Sequence, residues 1–336
     1  MACSGLTSMA EEQLGASSPT DEVSRAELLL AIARVKGSYL SAKDIDQLTE
    51  LLPAGSNLGT IWNRIPSLDS RYQLQGDLLI GKHVTARTDP FIDANRQRAR
   101  AERYIEHARE FSFLAGKRWI RVLSVSGSTS YKATSENDDI DIFCVTQKDS
   151  LWIFLTKALL LARVFRLARP SSPRFCFSCM LDEEYAKKLF ASPNDALFAR
   201  DALTVQVLQG PLFYKGLLQR GQWLSDYFPK LYWQRKAQHV ATMEETEITR
   251  QSPARKLLNN FLFFTVGNYL RLKSKLLNRK LRKTGRLDSL FTIISGSDHC
   301  IFESQGYREL RRMYREIRPY SAKHQPSDNR RAASTE

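Results

Sequence analysis

The stretch Trp119-Ile-Arg-Val-Leu-Ser-Val-Ser-Gly-Ser128, followed after a polar run by Asp139-Ile-Asp-Ile-Phe-Cys-Val145, decides the fold. Its first half is apolar and rich in β-branched residues, as a buried strand requires. It breaks at Ser126-Gly127-Ser128, where a residue without a side chain lets the backbone approach a ligand closely. Thr129 to Asp138 is polar and reads as a loop. The second half is apolar beyond its carboxylates and reads as a core strand. Side chains two apart on a strand share a face, so Asp139 and Asp141 project together while Ile140 and Ile142 enter the core on the other side. Adjacent carboxylates repel unless a cation lies between them. Oxygen ligands of this kind suit Mg²⁺, which binds through one or two carboxylates plus substrate phosphates. The alternative reading is ordinary acidity at a strand entrance, shared with Glu136 and Asp138.

Gly-Ser, ten intervening residues, then Asp-Ile-Asp-Ile resembles the signature of the polymerase-beta-like nucleotidyltransferase superfamily. The resemblance implies that Gly127 and Ser128 hold a nucleoside triphosphate and that Asp139 and Asp141 ligate Mg²⁺ or Mn²⁺. It also implies in-line attack on the α-phosphorus, with metal ions stabilising the attacking and leaving oxygens. More loosely, residues 24 to 318 look similar to prokaryotic proteins known only as nucleotidyltransferase-domain proteins. Leu151-Trp152 opening an apolar helix, and Gly210-Pro-Leu followed by Trp223, carry that looser likeness. Active members of the superfamily place a third carboxylate on a following strand. Here Phe175 to Leu181 reads as that strand and contains Ser178 but no acid, so Asp182, just past it, is the candidate catalytic substitute. Its alternative is an acidic helix N-terminus before Tyr185.

The expected fold is α+β: a small mixed-sheet nucleotidyltransferase core over 119–182, an N-terminal winged-helix-like region over 24–82, a connecting helix over 90–116 and a helical basic region over 183–320. Residues 1–20 and 321–336 read as disordered tails. The winged-helix pattern comes from helical periods over 24–52, with Ser41 as a cap, a third helix from Asn57 to Ile65, and a hairpin from Arg71 to Gly81 around Gly76-Asp77. A recognition helix in a DNA groove and a protein-interaction module both fit it. The third helix carries one positive charge, Arg64, where phosphate anchoring uses several.

Fifty Lys plus Arg against 36 Asp plus Glu give a net charge of +14 and favour polyanionic partners. Pro253 to Tyr320 holds 15 basic and 5 acidic residues, so the excess is concentrated near the C-terminus. Pro253 to Lys283 reads as a long amphipathic helix with Leu257, Leu258, Phe261, Leu262, Thr265 and Tyr269 near one face, packed beside the sheet. Its basic end, Arg271 to Lys283, fits either phosphate neutralisation or a solvated surface. Asp201 to Leu208 and Leu212 to Gln219 read as short helices, and His299 beside Asp298 as structural, the alternative being a base that the C-terminal region delivers in place of the missing carboxylate. Five cysteines without a regular framework fit a reducing compartment, the cytoplasm being the expected location. Cys176 and Cys179, three apart on a strand, are expected on opposite faces and therefore not as a zinc pair. Leu151 to Leu167 is broken by Lys157 and Arg163, and no membrane span or signal peptide is expected.

The leading functional expectation is transfer of a nucleoside monophosphate, from ATP or another triphosphate, to the hydroxyl of a small molecule, protein or RNA. The alternative is a catalytically degenerate nucleotide-binding module acting in regulation or nucleic-acid binding. A third reading has the basic C-terminal region bind RNA, with the fold as scaffold.

Overall fold

The computed structural model describes residues 39–41, 67, 70, 72–75, 78–81, 90–132, 134–136, 138–238, 252–287 and 290–315. Near the N-terminus, β1 (Tyr39–Ser41), β2 (Tyr72–Gln75) and β3 (Leu78–Gly81) form an antiparallel sheet in the order β1-β3-β2. β2 and β3 pair across Gly76-Asp77 with Gln75 opposite Leu78, which is the expected hairpin. Ser41, expected as a helix cap, ends β1 opposite Leu78, and the helices expected on either side of β1 and over 57–65 lie outside the described residues.

Helix α1 (Pro90–Ala115) starts at proline, which has no N–H to waste in the first turn, and stops at Gly116 in the left-handed region, φ 68°. From there the chain builds one six-stranded mixed sheet. Its strands are β4 (Ile120–Ser126), β5 (Ile140–Thr146), β6 (Phe175–Asp182), β7 (Gln206–Gln209), β8 (Phe291–Ser295) and β9 (His299–Ser304), in the order β7-β4-β5-β6-β9-β8. Only β5 and β6 run parallel, joined by the crossover helix α3 (Leu151–Ala168); a one-turn helix, α2 (Gly127–Ser130), follows β4.

Alternation along β5 sets the layers. Phe143 and Val145 enter a core with α4 (Glu183–Ala191), α5 (Ala196–Thr204), α6 (Pro211–Arg220), α7 (Pro229–Ala237) and α10 (Gln305–Tyr314). Ile140, Ile142 and Cys144 enter the other core, with α1, α3 and Leu270 of the last long helix. That helix is α8 (Pro253–Leu262), a π turn (Phe263–Gly267) and α9 (Asn268–Lys283). Asp141 therefore lies on the face covered by α4 to α7 and α10.

Three expectations are corrected. The region expected to be helical supplies three of the six strands: Gln206–Gln209, read as part of a helix, pairs with β4, and β8 and β9 extend the sheet beyond β6. Four residues, Gln-Val-Leu-Gln, carry too short a pattern to declare a strand, and the open edge of β4 decides it. Second, a bulge in β6 lets three steps, Cys176 to Cys179, oppose the two from Asp141 to Phe143. Cys176 is the partner of Asp141 and Cys179 that of Phe143, so both thiols share the face of Asp141. Third, the apolar residues of Pro253–Lys283 divide between two sides: Leu262, Phe263, Val266 and Leu270 pack on the core, while Leu257, 73% exposed, and Phe261, 60% exposed, point outward. No helix among the described residues is long and apolar enough to cross a membrane.

Candidate functional site

β4 and β5 are antiparallel with Ser126 opposite Asp141, so the Gly-Ser turn and the second carboxylate are neighbours by register. Gly127 has φ 63°, and a Cβ built on it would overlap Asp141 Oδ2 and lie 3.1 Å from its Cγ. Glycine is thus required twice here, for its backbone angle and for the space that the carboxylate fills. Ser128 Oγ donates to Asp138 Oδ2 at 2.8 Å, and the Ser135 N–H donates to the same oxygen at 2.8 Å. Asp138 thereby ties the loop to the turn. For Ser128 to donate to a phosphate, its hydroxyl must leave Asp138.

The carboxylates are held in unequal surroundings. Burial first, then Asp139, Asp138 and Asp201, push the Asp141 carboxyl up to about 7, against a pull downward from the Cys176 thiol that hydrogen-bonds it. Asp139, at the exposed rim, is also raised, by partial desolvation and by Asp138, while Arg174 and Arg166 pull it down. Burial and the neighbouring Asp141 raise the Cys176 thiol well above its ordinary value, so it stays protonated as a donor. Asp138, Asp139 and Asp141 set three acidic side chains within four residues at one strand entrance, and a cation between them would offset their repulsion.

A cavity of about 1230 Å³ opens from this cluster. β9 pairs with β6 only over Cys179 to Leu181, and the cavity also borders Phe175 to Ser178. Its wall over Asp141 comes from α5. There the buried Arg200 donates to Asp201 Oδ1 through Nε and Nη2, at 2.9 and 2.6 Å, and to the Tyr314 hydroxyl at 3.1 Å. Its guanidinium also lies over the rings of Tyr131 and Tyr314. Tyr307 donates to Asp201 Oδ2 at 3.0 Å. Sequence reading passed over Arg200 and Asp201 because an Arg-Asp pair inside an apolar helix pattern looks like surface charge. Only the packing of α10 onto α5 makes it a buried anchor.

Asp182 is not brought to the pair. It stands opposite Thr146, five residues beyond Asp141 on β5, or roughly 16 Å at about 3.3 Å per residue. There it caps α4, accepting from the N–H groups of Glu184 at 3.0 Å and Tyr185 at 2.8 Å. Burial lifts its carboxyl to about 6, against those two donors. The residue on β6 that does face Asp141 is Cys176. His299 lies at the same far end: it pairs with Leu181, hydrogen-bonds Asp298 at 2.8 Å through Nδ1 and stacks on Tyr185. Gly127, Ser128, Asp139 and Asp141 come together; Asp182 and His299 do not join them.

Among the described residues, no three or more His, Cys, Asp or Glu side chains converge as a metal site. Asp139 and Asp141 are a pair, and both line the same cavity. No family model, curated protein or solved structure matches this chain.

Proposed function

We propose that the chain is a divalent-metal-dependent nucleotidyltransferase that moves a nucleoside monophosphate from a triphosphate, with ATP the leading donor, to a hydroxyl acceptor. The observation that carries this reading is the contact between Gly127 and Asp141: a left-handed glycine whose missing side chain is replaced by a carboxylate. A loop of ordinary acidity needs no such closeness. The donor set suits Mg²⁺ or Mn²⁺, since all its atoms are oxygens and the raised Asp141 is a carboxylate short of positive neighbours. Such an ion, when bound, supplies charge neutralisation for the phosphates and for the leaving pyrophosphate. Asp141 fixes one side of the site from a rigid strand, and Asp139 closes it at the rim. The Gly127-Ser128 turn brings backbone and a hydroxyl toward the phosphates, and the cavity under α5 accommodates the nucleotide and its acceptor. The acceptor oxygen bonds to the α-phosphorus as pyrophosphate leaves.

A second reading is favoured by one observation, that Cys176 and not an acid faces Asp141 on β6. It makes the domain a nucleotide-binding module without turnover. Incubation with α-labelled triphosphates, Mg²⁺ or Mn²⁺ and candidate acceptors separates the two. The first reading expects label transfer that Asp139→Ala, Asp141→Ala and Gly127→Ala abolish. Metal-dependent nucleotide binding without transfer supports the second, and the absence of both removes the pair of them.

A further inference from the structure

The helix from Pro253 to Lys283 is apolar on two sides. Toward the protein it presents the buried Arg255, Asn259, Gly267, Leu270 and Ser274, with Leu262, Phe263 and Val266 half-buried against the core. Asn259 accepts from the Trp152 N–H at 2.8 Å and donates to the Ser297 carbonyl, and Arg271 donates to Ser295, so polar contacts help hold this side. Outward it presents Leu257, Phe261, Phe264, Tyr269, Leu272 and Leu276, each more than half exposed. A helix with only its own core to cover keeps its outer face polar.

The outward residues form one stripe. Their spacing is four, three, five, three and four residues, and the five-residue step crosses the π turn Phe263–Gly267. An uninterrupted α-helix would swing the second half of the stripe by about 100° at that step. The π turn absorbs the extra residue and keeps Tyr269, Leu272 and Leu276 in line with Leu257, Phe261 and Phe264. Single π turns of this kind concentrate at functional positions. Exposed Lys273, Lys275, Arg279, Lys280, Arg282 and Lys283 surround the second half, and no Asp or Glu occurs between Pro253 and Lys283.

We propose that this stripe docks on an anionic lipid surface, with α8 and α9 lying in the headgroup plane. Roughly 45 Å of helix, at about 1.5 Å per residue, presents large apolar side chains to the acyl boundary. The flanking lysines and arginines extend their stems along that surface and set their charges among anionic headgroups. A second copy of the chain is a poorer occupant, because face-to-face stripes bring two sets of cations together with no carboxylate on either helix. Nucleic acid would use the cations but has no counterpart for aliphatic Leu257, Leu272 and Leu276 along the centre. The stripe borders the cavity that opens at Asp141, whose lining includes Lys273 and Leu277, but its docking requires no nucleotide chemistry there.

The test is co-sedimentation of the full chain with vesicles of phosphatidylcholine alone and of phosphatidylcholine mixed with phosphatidylglycerol. Binding is expected to the mixed vesicles and to fall with salt. Phe261→Asn with Phe264→Asn is expected to weaken it by at least about tenfold. Lys280→Gln with Lys283→Gln is expected to weaken it by about fivefold per charge. Both variants alter exposed side chains, and circular dichroism and melting unchanged from the parent verify that they fold. Failure to bind mixed vesicles overturns the proposal, as does equal binding by the phenylalanine variant. Self-association in solution that this variant abolishes, without vesicle binding, identifies a second copy instead. Destabilisation of the variant without vesicle binding identifies coverage of the stripe by the chain itself.

Discussion

Asp141 is placed where a carboxylate is costly without a cation. Its carboxyl is raised to about 7, first by burial and then by Asp139, Asp138 and Asp201, from an ordinary value of 3.8. Between those values the folded protein holds a proton that the unfolded chain has lost, so metal-free stability falls as pH rises from about 4 to about 7 and levels off above. Asp141→Asn removes the ionisation. The metal-free variant should melt above the parent at pH 8, by roughly 2 to 4 kcal/mol at most, and the advantage should vanish as pH falls toward 4. Asp182, raised to about 6, acts in the same direction in both proteins and cancels in the difference. Melting curves in chelator across this range check the sign. A difference that does not change with pH would mean that Asp141 ionises as freely in the fold as in the open chain. The residue types at the site were legible in the sequence through their spacing, Gly-Ser and ten residues before Asp-x-Asp, since an Asp-x-Asp alone also fits ordinary acidity at a strand entrance. The closeness of Gly127 to Asp141 was not, since it depends on the β4–β5 register.

At the scale of elements, β6 shows how a correct strand can carry a wrong role. Phe175 to Leu181 reads as a strand from its apolar run and is one, but the position of Asp182 along the site depends on which end of β6 meets Asp139 and Asp141. Parallel pairing puts the start of β6 beside Asp141 and its end, with Asp182, beside Thr146. Asp182→Ala should therefore cost about 1 kcal/mol through the lost cap of α4 and leave any nucleotide binding or transfer unchanged. A large loss of transfer at unchanged stability would return Asp182 to the chemistry. The same strand contains the bulge that turns Cys176 and Cys179 to one face, which simple alternation cannot anticipate. In the helix Pro253–Lys283 the periodicity identified the element, but of its expected core face only Leu262 packs on the core. Which residues faced inward was decided by Asn259, Phe263, Val266, Leu270 and Ser274 packing on the protein instead.

At the scale of the molecule, the wall over Asp141 is held by elements far apart in sequence. Arg200 and Asp201 from α5 meet Tyr131 after α2 and Tyr307 and Tyr314 from α10. Arg200 is a buried cation whose carboxylate partner is Asp201. Asp201→Asn should destabilise the fold by about 3 kcal/mol, because it leaves that cation without its counter-charge. It should also move the pH window of Asp141 downward, since the Asp201 charge raises that carboxyl. Urea titrations of this variant and of its combination with Asp141→Asn measure both effects. An unchanged midpoint would mean that Tyr314 and the aromatic faces suffice for Arg200.

By itself the sequence determined the strand-turn-strand of residues 119 to 145, the helices at 90–115, 151–168 and 253–283, and the pairing of Asp139 with Asp141 toward one side. These follow from local rules: side-chain alternation, helical period, and the glycine and proline positions that end or start elements. The tertiary structure alone decided that Gln206–Gln209 is a strand, that Asp182 lies far from the carboxylate pair, and that Arg200 and Asp201 wall the cavity. It also decided that most of the expected core face of the long helix is exposed. Each depends on strand order, register or which face of an element finds a partner. Those are set by competition among distant segments for the same surface, and no local pattern records the winner.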